Sequence, residues 1–334
     1  MVSGRILLTG GAGFIGSHVA EALLRRRAAL TIVDNLDPFY PAESKLANLE
    51  ELRRIGHFEF HQADICDAFA MRRAFASARP QVVIHLAARP GVRPSFSEPA
   101  LYERVNLAGT VCLLECARDS GAGRFVFGSS SSVYGACSRV PFCERQSGLL
   151  PLSPYAASKL AGEFQCRRFA ERSGLPVICL RLFSVYGARQ RPDLAIHRFT
   201  ALLEAGLPLP VFGDGASGRD YTFVGDVVAG ILAALDYELK PAAGEPPFEI
   251  FNLGNSCPVR LNDLIALLEQ VTGRRARRDP QPWQSGDAPL TWADISKASR
   301  LLGYRPVTRL EQGLEKFVEW YRAAAPARRM GVGA

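Results

Sequence analysis

Tyr155 and Lys159 stand four residues apart in SPYAASK, a run that reads as the opening of a helix. At that spacing both side chains lie on one helix face, about 5–6 Å apart at Cβ. An ammonium so close favours the phenolate and draws the tyrosine from its usual pKa of about 10 toward neutrality. Such a tyrosine can take the proton of an alcohol while a neighbouring acceptor takes hydride. The same spacing is common on solvated helices, so the pair gains meaning only from the elements around it.

Those elements alternate. Apolar strand patterns at 5–10, 30–34, 57–64, 81–88, 124–130 and 176–182 are separated by helical patterns at about 15–27, 44–55, 67–78, 100–120 and 155–173. Strands that are apolar throughout and joined by helices predict an α/β fold, a Rossmann-type doubly wound parallel sheet covered on both faces. Ligands of such a sheet bind beyond the carboxyl ends of its strands. After Phe183 the rhythm breaks: Gly and Pro become dense through 206–218, and EPPFEIFNLGN supplies one more strand. The reading is a dinucleotide-binding domain over 1–182, a smaller α/β substrate lobe over 183–325 with some elements returning to the first domain, and a frayed tail over 326–334.

Directly after the first strand comes TGGAGFIGS. Gly11, Gly13 and Gly16 satisfy G-x-G-x-x-G, and Gly10, Gly13 and Gly16 satisfy its three-spaced variant. Glycine permits the tight turn, the close approach of backbone to a pyrophosphate, and close packing of the next helix on the sheet. Phe14 and Ile15 open that helix, whose N-terminus faces the phosphates. Asp34, at the end of the second strand and followed by Asn35, can accept hydrogen bonds from both ribose hydroxyls and would repel a 2′-phosphate. NAD is therefore expected over NADP. Asp64 and Ile65, ending the third strand, are placed to meet the adenine.

Of 334 residues, 48% are hydrophobic and 22% charged, the balance of a globular protein with ample core. No run of 18 apolar residues occurs and no leader pattern precedes the first strand, so neither membrane span nor export is expected. Eight cysteines lack CxxC or any Cys/His cluster, which predicts buried thiols in a reducing cytoplasm, without disulfide or metal. The net charge of +7 comes with basic runs at 25–27 and 274–278 but no nucleic-acid motif. Nucleic acid is not expected as a partner, and a modest positive field suits a small polyanionic substrate.

With TGGAGFIG, Asp34, HLAA (85–88), Asn106 in NLAGT, SSSSVYG (129–135) and the YxxxK in order, the chain resembles an extended short-chain dehydrogenase/reductase of the nucleotide-sugar epimerase kind. DNLDPFY (34–40), HLAARPGVRPSFSEP (85–99), RLFSVYGARQRPDLA (181–195), GRDYTFVGDVV (218–228) and QSGD (284–287) are similar to UDP-glucuronate 4-epimerases in particular. The resemblance implies that Leu86, Ala87 and Ala88 line the dinucleotide, that Lys159 holds its nicotinamide ribose, and that Asn106 braces the active-site region. Ser130 would hydrogen-bond the reacting sugar oxygen, with Ser131, Ser132 and Ser184 lining the same pocket. Arg191 would grip a C6 carboxylate, and Arg93 or Arg89 would meet the diphosphate or the acid. Arg219 matches a diphosphate arginine, Pro210 and Phe212 a uracil-contacting stretch, and Asp287 a position near the nucleotide. A homodimer through the helices at 100–120 and 155–173 is also implied. Ala188 stands where this subfamily usually has proline.

The branch chemistry is read at the serines. Dehydratases of the superfamily carry an Asp-Glu pair beside the serine position, and UDP-xylose-forming decarboxylases a glutamate directly after it. SSSSVYG offers four hydroxyls and no carboxylate, so elimination at C5 lacks an acid/base. The expectation is NAD-dependent 4-epimerisation of UDP-glucuronate to UDP-galacturonate through a transient 4-keto sugar. The alternatives are an enzyme for another nucleotide sugar (UDP-glucose or UDP-N-acetylglucosamine) and a non-catalytic nucleotide-binding relative.

Overall fold

A computed structural model describes residues 4–137, 139–283 and 288–324. In chain order the first half runs β1 (Arg5–Thr9), α1 (Phe14–Arg25), β2 (Ala29–Asp34), α2 (Ala42–Ile55), β3 (Glu59–Gln62), α3 (Ala68–Ala78), β4 (Val82–His85), then the short helices α4 (Pro94–Ser97) and α5 (Pro99–Tyr102). A π-helical stretch (Glu103–Ala108) leads into α6 (Gly109–Asp119), followed by β5 (Arg124–Ser130), a 3₁₀ turn (Ser131–Tyr134), α7 (Pro154–Ser173) and β6 (Val177–Leu182). The remainder comprises β7 (Val185–Tyr186), α8 (Ala195–Ala205), β8 (Pro208–Phe212), β9 (Gly218–Asp220), β10 (Thr222–Phe223), α9 (Val224–Asp236), β11 (Phe248–Leu253), β12 (Pro258–Arg260), α10 (Leu261–Thr272), β13 (Arg277–Gln281), α11 (Ser296–Leu302) and α12 (Leu310–Ala323).

The main sheet has seven strands in the order β11-β6-β5-β4-β1-β2-β3, every neighbouring pair parallel. Its strands are apolar on both faces because both are covered. Ile6, Leu8, Ile32, Ile84, Val126 and Ile178 face one core with α1 and α9, while Leu7, Val33, Val83, Phe125, Phe127 and Val177 face another with α3, α6 and α7. The strand order reverses between β1 and β4, which opens a crevice at their carboxyl ends. The expected late strand, EPPFEIFNLGN, returns to this sheet as β11 on the edge beside β6. A third core, built from α8, β8, α10 and α12 around Phe199, Leu209, Leu264 and Phe317, lies in the C-terminal half.

Two elements differ from the sequence reading. The helix expected over 100–120 runs from Pro99 to Asp119 but contains a π stretch (Glu103–Ala108), and Pro94 starts a separate short helix ahead of it, with Glu98 between the two leaving helical geometry. The strand expected over 57–64 is only Glu59–Gln62, because Asp64 turns the chain by accepting a hydrogen bond from the Cys66 N–H at 2.9 Å.

Candidate active site

The glycine loop takes the shape its spacing implies. Gly10 adopts φ +73, its N–H donates to Val33 O at 2.8 Å, and a Cβ there would strike the Ala87 backbone. A side chain on Gly16 would run into the Gly10 carbonyl, so only glycine lets α1 begin this close to the sheet. Gly13 caps α1 with no side-chain hydrogen bond, and no acid occupies the first turn. The opening N–H groups of α1, at Phe14, Ile15 and Gly16, are thus left for an anionic ligand.

Asp34 is buried at the end of β2, beside exposed Asn35, and its two oxygens accept from Leu36 N (2.9 Å) and Ala12 N (3.2 Å), with Lys45 Nζ at 3.9 Å. Burial raises its pKa, against the pull of Lys45 and the two N–H donors. Each oxygen keeps lone-pair capacity for a hydroxyl. Ile65 is buried against Gly109, and Leu86, Ala87 and Ala88 continue β4 across the crevice. An N-terminus of free amides, a carboxylate one strand away and a floor that excludes any Cβ fit a dinucleotide.

Behind this floor lies a buried polar relay. Thr110 Oγ1 donates to Asn106 O (2.6 Å), so His85 Nε2 must donate to Thr110 Oγ1 (3.0 Å) and Nδ1 must accept from Thr9 Oγ1 (2.8 Å). Burial, helped by the Lys159 charge, pushes His85 down to about 3, so the ring is neutral. Asn106 accepts from Arg89 N (2.7 Å) and donates to Arg89 O and Ser158 Oγ, both at 3.0 Å. It therefore braces α7 at the residue beside Lys159.

Helix α7 starts where the sequence implies. Ser153 caps it by accepting from Ala156 N at 3.1 Å, Pro154 fills the first turn, and Gly174 closes it in the left-handed region. Gly162 lets the helix settle on the Phe127 ring of β5, where any Cβ would come within 2.7 Å of Cζ. Tyr155 then stands beside Ser130 at the carboxyl end of β5, close enough for the serine to favour the phenolate. Ser130 Oγ also accepts from Ser132 N (3.2 Å) and Ser132 Oγ (2.9 Å), while Ser131 shares the same turn.

The expected lowering of the phenol by Lys159 is not what this structure gives. Burial raises the Tyr155 pKa, opposed by the Ser130 hydroxyl and by the Arg191 charge. Lys159 Nζ instead donates to Gly128 O at 2.8 Å and lies 5.0 Å from the Phe127 ring centroid. Burial lowers it to about 8. The cation that acts on the phenol is Arg191.

Arg191 lies in the loop after β7. Its Nε and Nη2 donate to Asp193 Oδ1 (2.9 Å) and Oδ2 (2.8 Å), and its guanidinium stands 5.5 Å from the Phe39 ring. Burial opposes both charges, yet each secures the other: Arg191 is raised and Asp193 lowered. Asp193 occupies the side of the fork, so the Nη1/Nη2 end remains to grip a second carboxylate. Sequence reading missed Asp193, although its place two residues after Arg191 in RPD was a usable signal. It also missed Tyr102, whose ring packs edge-on against Tyr155 at 6.2 Å, because that contact is long-range.

The other expected residues lie on several separate elements. Arg93 sits 4.7 Å from the Phe212 ring, joining the loop after β4 to β8, the strand that also carries Pro210. Arg219 lies on β9 and donates to Gly218 O at 2.8 Å, and Ser184 bridges β6 and β7, accepting from Thr222 N at 3.0 Å. Arg89 is already committed, paired with Asp37 (2.6 Å) and Glu98 (3.3 Å). Asp287 lies outside the described residues. Among the described residues no cluster of three or more His, Cys, Asp or Glu is arranged to hold a metal ion, all eight cysteines are free thiols, and no helix is long and apolar enough to cross a membrane.

Comparison with known proteins places this geometry. The family described as GDP-mannose 4,6 dehydratase matches residues 7–317. A UDP-glucuronate 4-epimerase of Thermodesulfobacterium geofontis is 40% identical over 318 residues, covering 95% of this chain and 96% of the relative. A crystal structure of the UDP-glucuronic acid 4-epimerase from Bacillus cereus, in complex with UDP-glucuronic acid and NAD, superposes with a TM-score of 0.88 at 37% identity, covering 95% of this chain and 99% of that one. The UDP-glucose 4-epimerase of Thermotoga maritima, solved with UDP-glucose, gives 0.86 at 35% identity over 95% and 98% of the two chains.

Proposed function

This chain belongs to the GDP-mannose 4,6 dehydratase family, and we propose that within it the protein is an NAD-dependent 4-epimerase interconverting UDP-glucuronate and UDP-galacturonate. The observation that carries this reading is Arg191: a half-buried guanidinium, held side-on by Asp193 and near enough to Tyr155 for each to act on the other's charge, with Tyr155 beside a carboxylate-free serine turn.

Gly10, Gly13, Phe14, Ile15, Gly16, Asp34, Asn35, Asp64, Ile65, Leu86, Ala87, Ala88, Tyr155 and Lys159 would hold NAD. When bound, NAD supplies the acceptor and donor of the C4 hydride. Tyr155 takes the proton of the sugar 4-OH as the C4 hydrogen leaves, and returns a proton to the oxygen once the 4-keto sugar has presented its other face. Ser130 donates to the developing oxygen charge, and Arg191 favours the phenolate throughout. Ser131, Ser132 and Ser184 offer hydroxyls that tolerate two ring orientations. No carboxylate follows Ser130, so nothing beside it is suited to shuttle the C5 proton for elimination.

A 4-keto uronic acid is a β-keto acid, and it loses CO2 readily when its carboxylate bond aligns with the carbonyl. Arg191 and the serines hold the carboxylate out of that alignment. A hydroxymethyl group, as in UDP-glucose, would leave the open guanidinium end without a matched partner. Arg93, Pro210, Phe212, Arg219 and Asp287 would hold the UDP half, from the lobe that begins near residue 183 and the loop facing it. A homodimer through α6 and α7, in the cytoplasm, completes the proposal.

The test is direct. Incubation with UDP-glucuronate and NAD, followed by chromatographic separation of the sugars, should give UDP-galacturonate with neither CO2 nor net NADH. Turnover of UDP-glucose in preference, or of no nucleotide sugar, would overturn it.

A further inference from the structure

We propose that Arg189 is a positioning residue: it fastens the Arg191 loop to the two helices that frame the dinucleotide loop, and so sets how selectively the site holds a sugar carboxylate. This rests on the reading of Arg191 as the carboxylate's partner.

The loop has little intrinsic constraint. Gly187 adopts φ +140, Arg189 itself sits in the left-handed region at φ +62, and Ala188 between them lacks the ring that would fix φ. A non-glycine residue in that region is strained and persists only where its surroundings hold it. Here the surroundings are specific. Arg189 Nε donates to Glu51 Oε2 (3.1 Å) on α2, and Nη2 donates to Glu21 Oε2 (2.8 Å) on α1 while lying 2.9 Å from Glu51 Oε2. The arginine side chain is only 11% exposed. One turn earlier on α1, His18 Nε2 donates to Ala188 O at 2.8 Å. Burial, and then the Arg189 charge, push His18 down to about 4, so it stays the neutral donor that this bond needs.

Three side chains from two helices therefore hold residues 188 and 189, and Arg191 follows two residues on. Both helices belong to the dinucleotide half: α1 begins at Phe14 in the glycine loop, and Asn48 of α2 donates to Ala12 O at 2.9 Å. The clamp thus registers the carboxylate-gripping arginine against the dinucleotide loop. Arg189 commits Nε and Nη2 to the two glutamates, while its Nη1 is buried without a hydrogen-bond partner. Displacing a positioned group by ~1 Å can cost up to about a hundredfold.

The experiment uses NAD-loaded Tyr155→Phe protein, in which turnover should fall about 10²–10⁴-fold and binding can be read ahead of it. Calorimetry would compare UDP, UDP-glucose and UDP-glucuronate, with and without Arg189→Met. The expected result is about a tenfold loss of UDP-glucuronate affinity, with UDP and UDP-glucose each changed less than about twofold. Glu51→Gln, a single-atom change at the half-exposed end of the clamp, should lose part of the same selectivity and serves if Arg189→Met does not fold; Arg189→Lys should restore part of it. Equal weakening of all three ligands, or undiminished preference for UDP-glucuronate in Arg189→Met or Glu51→Gln, would overturn the clamp. Parent protein that shows no preference for UDP-glucuronate over UDP-glucose would instead refute the underlying role of Arg191.

Discussion

At the scale of single residues, the proposed reaction divides its work between two side chains. Tyr155 moves the proton, and Tyr155→Phe should lower kcat by about 10²–10⁴-fold, the usual yield of a positioned acid/base, with UDP-glucuronate binding little changed. Arg191 reads the substrate. Arg191→Ala removes charge-assisted hydrogen bonds worth roughly 1.5–3 kcal/mol, so binding affinity for UDP-glucuronate should fall about ten- to a hundredfold while UDP-glucose affinity changes little, apart from the loss of phenolate support, which slows turnover of both sugars. Equal losses of affinity for both sugars would contradict the assignment. The sign of the pH dependence follows from Lys159. Burial brings it to about 8, so its charge is present below that pH and is lost as pH rises through it. Any help it gives the phenolate fades over the same window, and dinucleotide-free protein titrated by NMR should show an ammonium releasing its proton near pH 8 rather than above 10.

At the scale of elements, α7 and β5 decide whether the residues meet. The buried Glu163 of α7 accepts from Arg181 of β6 through Nε (2.9 Å) and Nη2 (2.7 Å), and from Ser129 Oγ at 2.5 Å, one residue before Ser130. Removing one partner strands a buried charge, so Glu163→Ala should cost roughly 3–5 kcal/mol in denaturant unfolding; a loss under about 1 kcal/mol would contradict this packing. Much of this level was legible beforehand. The glycine loop, Asp34, the apolar strands and Ser153-Pro154 ahead of Tyr155 are local signals, fixed by turns, caps and periodicity. What lay hidden depends on tertiary partners. That Lys159 turns to the Gly128 carbonyl, that Arg89 is spent on Asp37 and Glu98, and that Arg189 bridges α1 and α2 are consequences of packing between segments up to 168 residues apart. The π stretch before α6 left no mark in a pattern that read simply as helix.

At the scale of the whole molecule, a parallel sheet carries the proposed reacting groups at the carboxyl ends of its strands, and a third core builds the C-terminal half. Its interior also sets a limit in acid. His18, His85 and His197 are all lowered by burial, His18 to about 4 and His85 to about 3. Groups that bind protons more readily when unfolded stabilise the fold fully above about pH 6.5, and that stability drains away as pH falls toward 4. The melting temperature should therefore be steady between about pH 6.5 and 8 and drop on acidification from about pH 6.5 to 5; a flat acid profile would argue against these rings being buried and neutral. Whole-molecule function comes down to hydrogen leaving C4 and returning to the same carbon from the other side. The most direct measurement is turnover of UDP-glucuronate carrying deuterium at C4, in ordinary water, with the product examined by NMR and mass spectrometry. The account predicts UDP-galacturonate that keeps its deuterium at C4 and takes up none of the solvent's hydrogen on carbon; deuterium washed out to solvent, or hydrogen gained at C5, would contradict it.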